Sequence, residues 1–156
     1  MHAAIVGQAP ARASLEPLDG RSGRRLERLA GIRDGELGLW FALGNLLPAW
    51  PGNRERRPGP HSAPGDRFDA GAARESWRDL SSEVLHGHFD LVLLLGRSVA
   101  AAAGAGRLAY FERERREGYA VAVFPHPSGA SHFWNAPRNR VLAAAFLRQV
   151  VRELAR

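Results

Sequence analysis

The run Asp90-Leu91-Val92-Leu93-Leu94-Leu95-Gly96 constrains this chain more than any other stretch. Its aliphatic residues follow one another without a polar position, so it has no face to offer to water. A run of that length closed by glycine reads as a strand covered on both sides, and such strands belong to parallel sheets flanked by helices. Three more stretches fit the same sheet. Ala3-Ala4-Ile5-Val6 stops at Gly7, Leu37 to Leu43 breaks at Gly44, and Tyr119 to Phe124 stops at Pro125.

Helical patterns alternate with these strands. One runs from about Gly23 to Ala30, with Leu26 and Leu29 on one face and arginines on the other, Ser22 as N-cap and Gly31 as its stop. Another opens at Phe68 or Asp69 and reaches Leu85, with Trp77, Leu80, Val84 and Leu85 toward the core. A small-residue helix covers about Ser98 to Ala103, and the closing helix spans about Asn135 to Ala155. Phe111 to Gly118 reads as a charged turn or short helix. The alternation predicts an α/β protein. The expected fold is a three-layer α/β/α sandwich with a four-stranded parallel sheet in the order 2-1-3-4. Residues 1–156 are expected to form a single domain, with a long loop at about 48–67. That loop holds five prolines between Pro48 and Asp66 and no periodic pattern.

Composition excludes several classes. There is no cysteine, hence no disulfide framework, no thiolate nucleophile and no cysteine-held metal cluster. No apolar run approaches the ~20 residues of a membrane span, and the N-terminus has no basic region ahead of an apolar one, so a cytoplasmic address is expected. Net charge is +6, and the 22 basic residues are all arginine. Arginine suits planar partners, phosphates and bases; the plainer reading is a solubility coat paired with the 16 acids.

Gln8, Asn45, Gly96 and His126 each stand just past the end of a predicted strand. In open parallel sheets ligands sit at that carboxyl edge. After Phe124 the chain reads Pro125-His126-Pro127-Ser128-Gly129-Ala130-Ser131-His132. This places a histidine at a strand end, followed by small residues rich in hydroxyls and backbone N–H groups.

Four motifs in this order resemble the uracil-DNA glycosylase superfamily, nearest to its small thermostable iron–sulfur branch. Gly7-Gln8-Ala9-Pro10-Ala11 is similar to G-E-A-P-G or G-L-A-P-A. Pro17-Leu18-Asp19-Gly20-Arg21-Ser22-Gly23-Arg24-Arg25-Leu26 falls in register with a glycine-spaced loop, G-R-P-F-V-G-x-A-G-x-L-L. Phe41 to Pro48 resembles a strand ending in T-N-x-x-K, with Asn53-Arg54 beyond. His126-Pro127-Ser128 matches an H-P-S loop, and Gly129-x-Ser131 resembles a variant of it. The resemblance spans about Ala3 to Asn135. Departures are equally specific. Gln8 stands where the family has an acid, Leu18 where an aromatic stacks on the flipped base, and Ala130 where a leucine wedge is found. The cluster cysteines are absent.

The resemblance implies a DNA glycosylase that hydrolyses the N-glycosidic bond of uracil or another deaminated or damaged base in DNA. The alternative is a weak or inactive nucleic-acid or nucleobase binder with the same fold; a third reading is an α/β nucleotide-binding protein unrelated to repair. In the first reading His126 stabilises the departing base, and the bland alternative is a histidine capping a turn. Asn45 offers a donor and an acceptor side by side for the base edge, or else is a turn asparagine. Gln8 orients water without acting as a base, or contacts loop backbone. Leu18 forms an apolar wall, with Phe41 or Trp40 as the substitute stacking ring. Ser128, Gly129, Ser131, Arg21 and Arg138 are the phosphate-binding candidates, with Arg24, Arg54 and Arg140 beside them; solvated charge is the alternative for each arginine. His132 and Phe133 are candidates for filling the space of a flipped base. His86 and His88 are too few for a metal site. No metal or cofactor is expected; the expected partner is DNA, single- or double-stranded, met by a monomer.

Overall fold

The structure, a computed structural model, describes residues 1–10, 16–52, 68–85, 88–129 and 131–156, with backbone alone for residues 83–85. Among the described residues a single sheet carries five strands: β1 (Ala3–Gly7), β2 (Ala42–Asn45), β3 (Leu91–Leu95), β4 (Arg113–Arg115) and β5 (Ala120–Phe124). Their order is β2-β1-β3-β5-β4. The first four in that row are mutually parallel, and β4 runs antiparallel to β5. The sheet is therefore mixed and five-stranded, not parallel and four-stranded. The extra strand lies within the segment expected to be a charged turn or short helix. Arg113, Glu114 and Arg115 are all exposed, so β4 has no apolar face for a pattern to reveal; backbone pairing alone makes it a strand.

Alternation along the strands divides the interior in two. Ala4, Val6, Val92, Leu94, Val121 and Val123 face one way and pack with Leu46, Leu47, Ala73, Trp77 and Val99. These come from the segment after β2 and from helices α3 (Ala70–Asp79) and α4 (Arg97–Ala102). Ala3, Ile5, Leu91, Leu93, Leu95, Ala122 and Phe124 face the other way. They are covered by α1 (Arg21–Ala30), the single turn α2 (Leu37–Trp40), Trp134 from a 3-10 turn (His132–Asn135) and α5 (Pro137–Leu154). Helices on both faces give three layers. The continuous aliphatic run of β3 is buried at every residue, as a central strand demands.

Three local expectations are corrected. Leu37 to Leu43 is not one strand: Leu37–Trp40 turns as a helix and β2 begins at Ala42. Only Leu37 of that turn is buried, and Leu39 is 82% exposed. The turn is held by Glu27 of α1, itself buried, whose Oε1 accepts the backbone N–H of Gly35 at 2.8 Å and of Leu37 at 3.2 Å. The cap of α1 is Gly20, without a side-chain hydrogen bond, in place of Ser22. The long helix to Leu85 is α3, ending at Asp79, followed by a π-helical turn, Leu80–Leu85. Its start is Asp69, whose carboxylate accepts from Gly71 N and Ala72 N. The side chains of Val84 and Leu85, most of the segment 48–67, and His86 lie outside the described residues.

Candidate active site at the carboxyl edge of the sheet

β1, β2, β3 and β5 all end on one edge, and the loops that follow carry the polar residues. Register sets which of them meet. Gly7 pairs with Asn45, and the chain beyond β2 stays on β1: Leu46 N bonds Gly7 O at 3.0 Å and Leu47 N bonds Gln8 O at 2.9 Å. Gln8 and Asn45 are thereby neighbours, both half-buried. His126 follows β5, two strands from β1. With strands ~4.8 Å apart, the backbones of β2 and β5 are separated by roughly 14 Å across the ends of β1 and β3. Asn45 and His126 therefore stand on opposite sides of the ends of the two central strands.

On the Asn45 side, a β-carbon at Gly7 would lie 2.6 Å from Asn45 Oδ1 and 3.8 Å from Leu18 Cδ2. Glycine at this position is what lets both side chains lie over β1. Oδ1 of Asn45 is buried and accepts no hydrogen bond among the described residues. Leu18 is held in a left-handed conformation, φ 59°, which a leucine rarely adopts. Gly23 makes room for it: a β-carbon there would meet Leu18 O at 2.2 Å.

On the opposite side, His126 packs on the end of β3. Gly96 has φ 90°, and a β-carbon on it would stand 3.1 Å from His126 Cβ. Ser128 N donates to His126 Nδ1 at 3.2 Å, and Ser128 Oγ lies 2.9 Å from the same nitrogen. A backbone N–H can only donate, so Nδ1 is the acceptor nitrogen and the ring proton of the neutral imidazole belongs on Nε2. The loop backbone is also tied down: Trp134 Nε1 donates to His126 O at 2.8 Å, and Arg25 Nη1 to Pro127 O at 2.9 Å.

The remaining candidates separate into those at this edge and those away from it. Ser128 and Ser131 are half-buried and Gly129 is exposed, all in the His126 loop. Arg21 opens α1 and Arg138 is the second residue of α5; both are exposed, and neither helix has an acid in its first turn. Arg24 is exposed, and Arg140 Nε donates to Trp134 O at 3.0 Å. Phe41 is a correction. It precedes β2, at the amino end of the sheet, and is 2% exposed in the core under α1 and α5. Trp40 lines a cleft at that same far end with Met1, His2 and Phe89. Neither ring reaches the edge that carries Asn45, because β2 starts after them. Phe133 packs edge-on against Tyr110 and Trp134, at 5.2 and 5.0 Å between ring centres, while His132 is exposed and so is His88. Asn53, Arg54 and Ala130 lie outside the described residues.

Trp134, Arg25 and Glu27 were not singled out by sequence. A signal existed for Trp134, since a buried indole N–H must find an acceptor. Arg25 and Glu27 lie on a helix whose arginines all look alike in sequence.

The family model described as uracil DNA glycosylase superfamily matches residues 2–155, almost the whole chain. The chain belongs to the uracil DNA glycosylase superfamily. Its sheet, with polar loops gathered at one carboxyl edge, is the DNA glycosylase-like frame of a superfamily that acts on DNA. No curated protein matches the chain. No helix among the described residues of this superfamily member is long and apolar enough to cross a membrane.

Proposed function

We propose that the protein is a DNA glycosylase that hydrolyses the bond between a deaminated base, uracil first among them, and its deoxyribose. The observation that carries this reading is the buried, unpartnered Oδ1 of Asn45. An orphaned buried acceptor costs about 1–3 kcal/mol unless a ligand supplies a donor. The neighbouring amide nitrogen supplies donors of its own. An N–H beside a C=O satisfies both. Deamination creates that edge: it converts a ring nitrogen beside an amino group into an N–H beside a carbonyl. Uracil and hypoxanthine thus offer Asn45 what cytosine and adenine do not. Thymine and guanine share the edge, so the apolar wall of Leu18 must discriminate by shape.

His126 follows β5, across the ends of β1 and β3 from Asn45, and is the group assigned to the departing base. As the bond between the sugar carbon and the base nitrogen breaks, the bonding electrons go to the base, and Nε2–H of His126 stabilises the resulting anion. Water adds its oxygen to the oxocarbenium-like carbon and releases a proton to solvent. Gln8 orients that water through its carbonyl oxygen and takes no proton. Losing a base in such a step slows it by ~10²–10⁴, so a modest turnover is expected. The first turns of α1 and α5 carry arginine and no acid, the reverse of what a helix N-terminus favours; DNA phosphates near Arg21, Arg138, Ser128, Gly129 and Ser131 would offset this repulsion.

The test is a panel of single- and double-stranded oligonucleotides containing uracil, hypoxanthine or xanthine, followed by alkaline cleavage. Strand breaks at the deaminated base are expected. Absence of breaks on every substrate overturns the enzymatic reading. His126→Ala should lower single-turnover excision by ~10²–10³ with little change in DNA affinity; equal losses would remove His126 from the leaving-group role. Gln8, an amide in place of a carboxylate, favours the second reading, a binder with the same fold. Binding that weakens steeply with salt, with no product, identifies it. The reading retains the expectation of a monomer acting in the cytoplasm, which sedimentation of the protein and of its DNA complex, and cell fractionation, test.

A further inference from the structure

Where Nε2 of His126 points depends on the backbone of Pro125-His126-Pro127, a stretch beyond the end of β5 with no strand beside it. Proline rings fix φ at residues 125 and 127. His126, preceding a proline, is confined to extended conformations. What remains is the setting of the two carbonyls, which defines ψ at residues 126 and 127. Each carbonyl accepts one side-chain hydrogen bond. Trp134 Nε1 holds His126 O at 2.8 Å, and Arg25 Nη1 holds Pro127 O at 2.9 Å.

The two donors also hold each other. The Arg25 guanidinium lies 5.2 Å from the centre of the Trp134 ring, within the range of cation–π attraction. Trp134 is buried, with its ring 6.3 Å from that of Phe124, the last residue of β5. Its own carbonyl accepts from Arg140 Nε at 3.0 Å. Arg25 comes from α1, Trp134 from the turn before α5, and His126 from the loop after β5, so three separate segments converge on two peptide groups.

We propose that Arg25 and Trp134 are positioning residues for His126: together they fix the loop that sets where its imidazole is held. The proposal rests on the reading of His126 as the group that stabilises the departing base. Neither residue touches the base or the sugar. Their influence falls on the chemical step, where a displacement of about 1 Å costs ~10²-fold in rate, and not on DNA affinity.

Trp134→Phe keeps an aromatic six-membered ring and removes the N–H together with the five-membered part of the indole. Arg25→Met keeps the stem and removes the donor, and Arg25→Lys restores a cationic donor. Arg28→Met is the control, since Arg28 lines the same cleft between α1 and α5 without bonding the loop. Two readouts apply to the full chain. The first is the 15N spectrum of the His126 imidazole, which reports its tautomer without any substrate. The second is single-turnover excision alongside the dissociation constant for uracil-containing DNA. Trp134→Phe and Arg25→Met are expected to abolish the single-tautomer pattern of wild type and to slow excision about 10- to 100-fold, with DNA affinity within about twofold. Arg25→Lys should recover part of both, and Arg28→Met should resemble wild type. An unchanged imidazole spectrum in folded Trp134→Phe and Arg25→Met, or equal losses in affinity and rate, overturns the proposal. So does the same effect from Arg28→Met. Should Trp134→Phe fail to fold, Arg25→Met, on a partly exposed side chain, decides alone. A wild-type protein that excises nothing defeats the proposed activity, while the nitrogen spectrum still decides the clamp.

Discussion

At Gly96 the missing β-carbon matters as much as the backbone freedom. Its φ of 90° is open to glycine, and an added methyl group would stand 3.1 Å from His126 Cβ and 3.5 Å from its Cδ2. Gly96→Ala should therefore lose about 1–2 kcal/mol of stability, as a substitution into an incompatible backbone does, and slow excision by more than that loss accounts for. Urea denaturation and single-turnover kinetics separate the two; a rate that only tracks the folded fraction would mean the imidazole did not move. Asn45 predicts the opposite balance. Its Oδ1 is buried without a donor, so Asn45→Ala removes a penalty of about 1–3 kcal/mol along with the side chain. Stability should stay within about 1 kcal/mol of wild type or rise, while excision and preference for deaminated bases are lost. A large destabilisation would instead mean that the amide holds the fold together.

The elements differ in how plainly the chain spells them, for physical reasons. β3 and β5 are legible because burial on both faces leaves aliphatic residues at nearly every position. α2 is not, because Leu37-Gly38-Leu39-Trp40 is apolar enough for a strand, and what makes it turn is the distant carboxylate of Glu27. Glu27→Ala would leave the N–H groups of Gly35 and Leu37 without their acceptor and should cost about 1–3 kcal/mol, read as a lower midpoint in chemical denaturation. β4 is invisible in sequence because Arg113-Glu114-Arg115 has the charges of a surface turn. Those charges serve an edge strand, which repels unwanted pairing by being charged. Of the site, His126, Asn45 and Gln8 were readable as strand-end polar residues. The Arg25–Trp134 clamp was not, since it joins residues 102 and 8 positions from the carbonyls they hold. β4 is also tied to α5, through Arg113 and Glu153 at 2.9 Å. Desolvation pulls the Glu153 carboxyl up, but hydrogen bonds from Arg113 and Gln149 and the charges of Arg113 and Arg156 outweigh it and hold the group below its ordinary 4.5. A carboxyl depressed on folding stabilises above its unfolded value and loses that contribution as pH falls through the folded one. Glu153→Gln should therefore be less stable than wild type at pH 6, by at most about 1 kcal/mol for so exposed a pair, and the gap should close on acidification below pH ~4. Parallel thermal melts from pH 6 to 3 measure it; a gap that persists at the acid end would show that charge is not the cause.

For the molecule as a whole, the proposed reading and a net charge of +6 carried entirely by arginine predict a DNA affinity whose logarithm falls linearly with the logarithm of salt. Arg21→Gln and Arg138→Gln should each reduce that slope by about 0.9 on duplex DNA if each neutralises one phosphate. Titrations between about 50 and 200 mM salt report it, and an unchanged slope would return these arginines to the solvated surface. The sheet order β2-β1-β3-β5-β4 has one more implication. Asn45 ends a four-residue strand on the rim of the sheet, paired on one side only, whereas His126 follows a strand enclosed on both sides. Rim strands open locally at lower free energy than interior ones. On the proposed reading, the choice of target thus lies at the end of a rim strand and the bond-breaking group beyond an interior one. Lineages or laboratory selections that retarget this scaffold should accumulate substitutions around residues 42–48 and leave the β3–β5 interior intact.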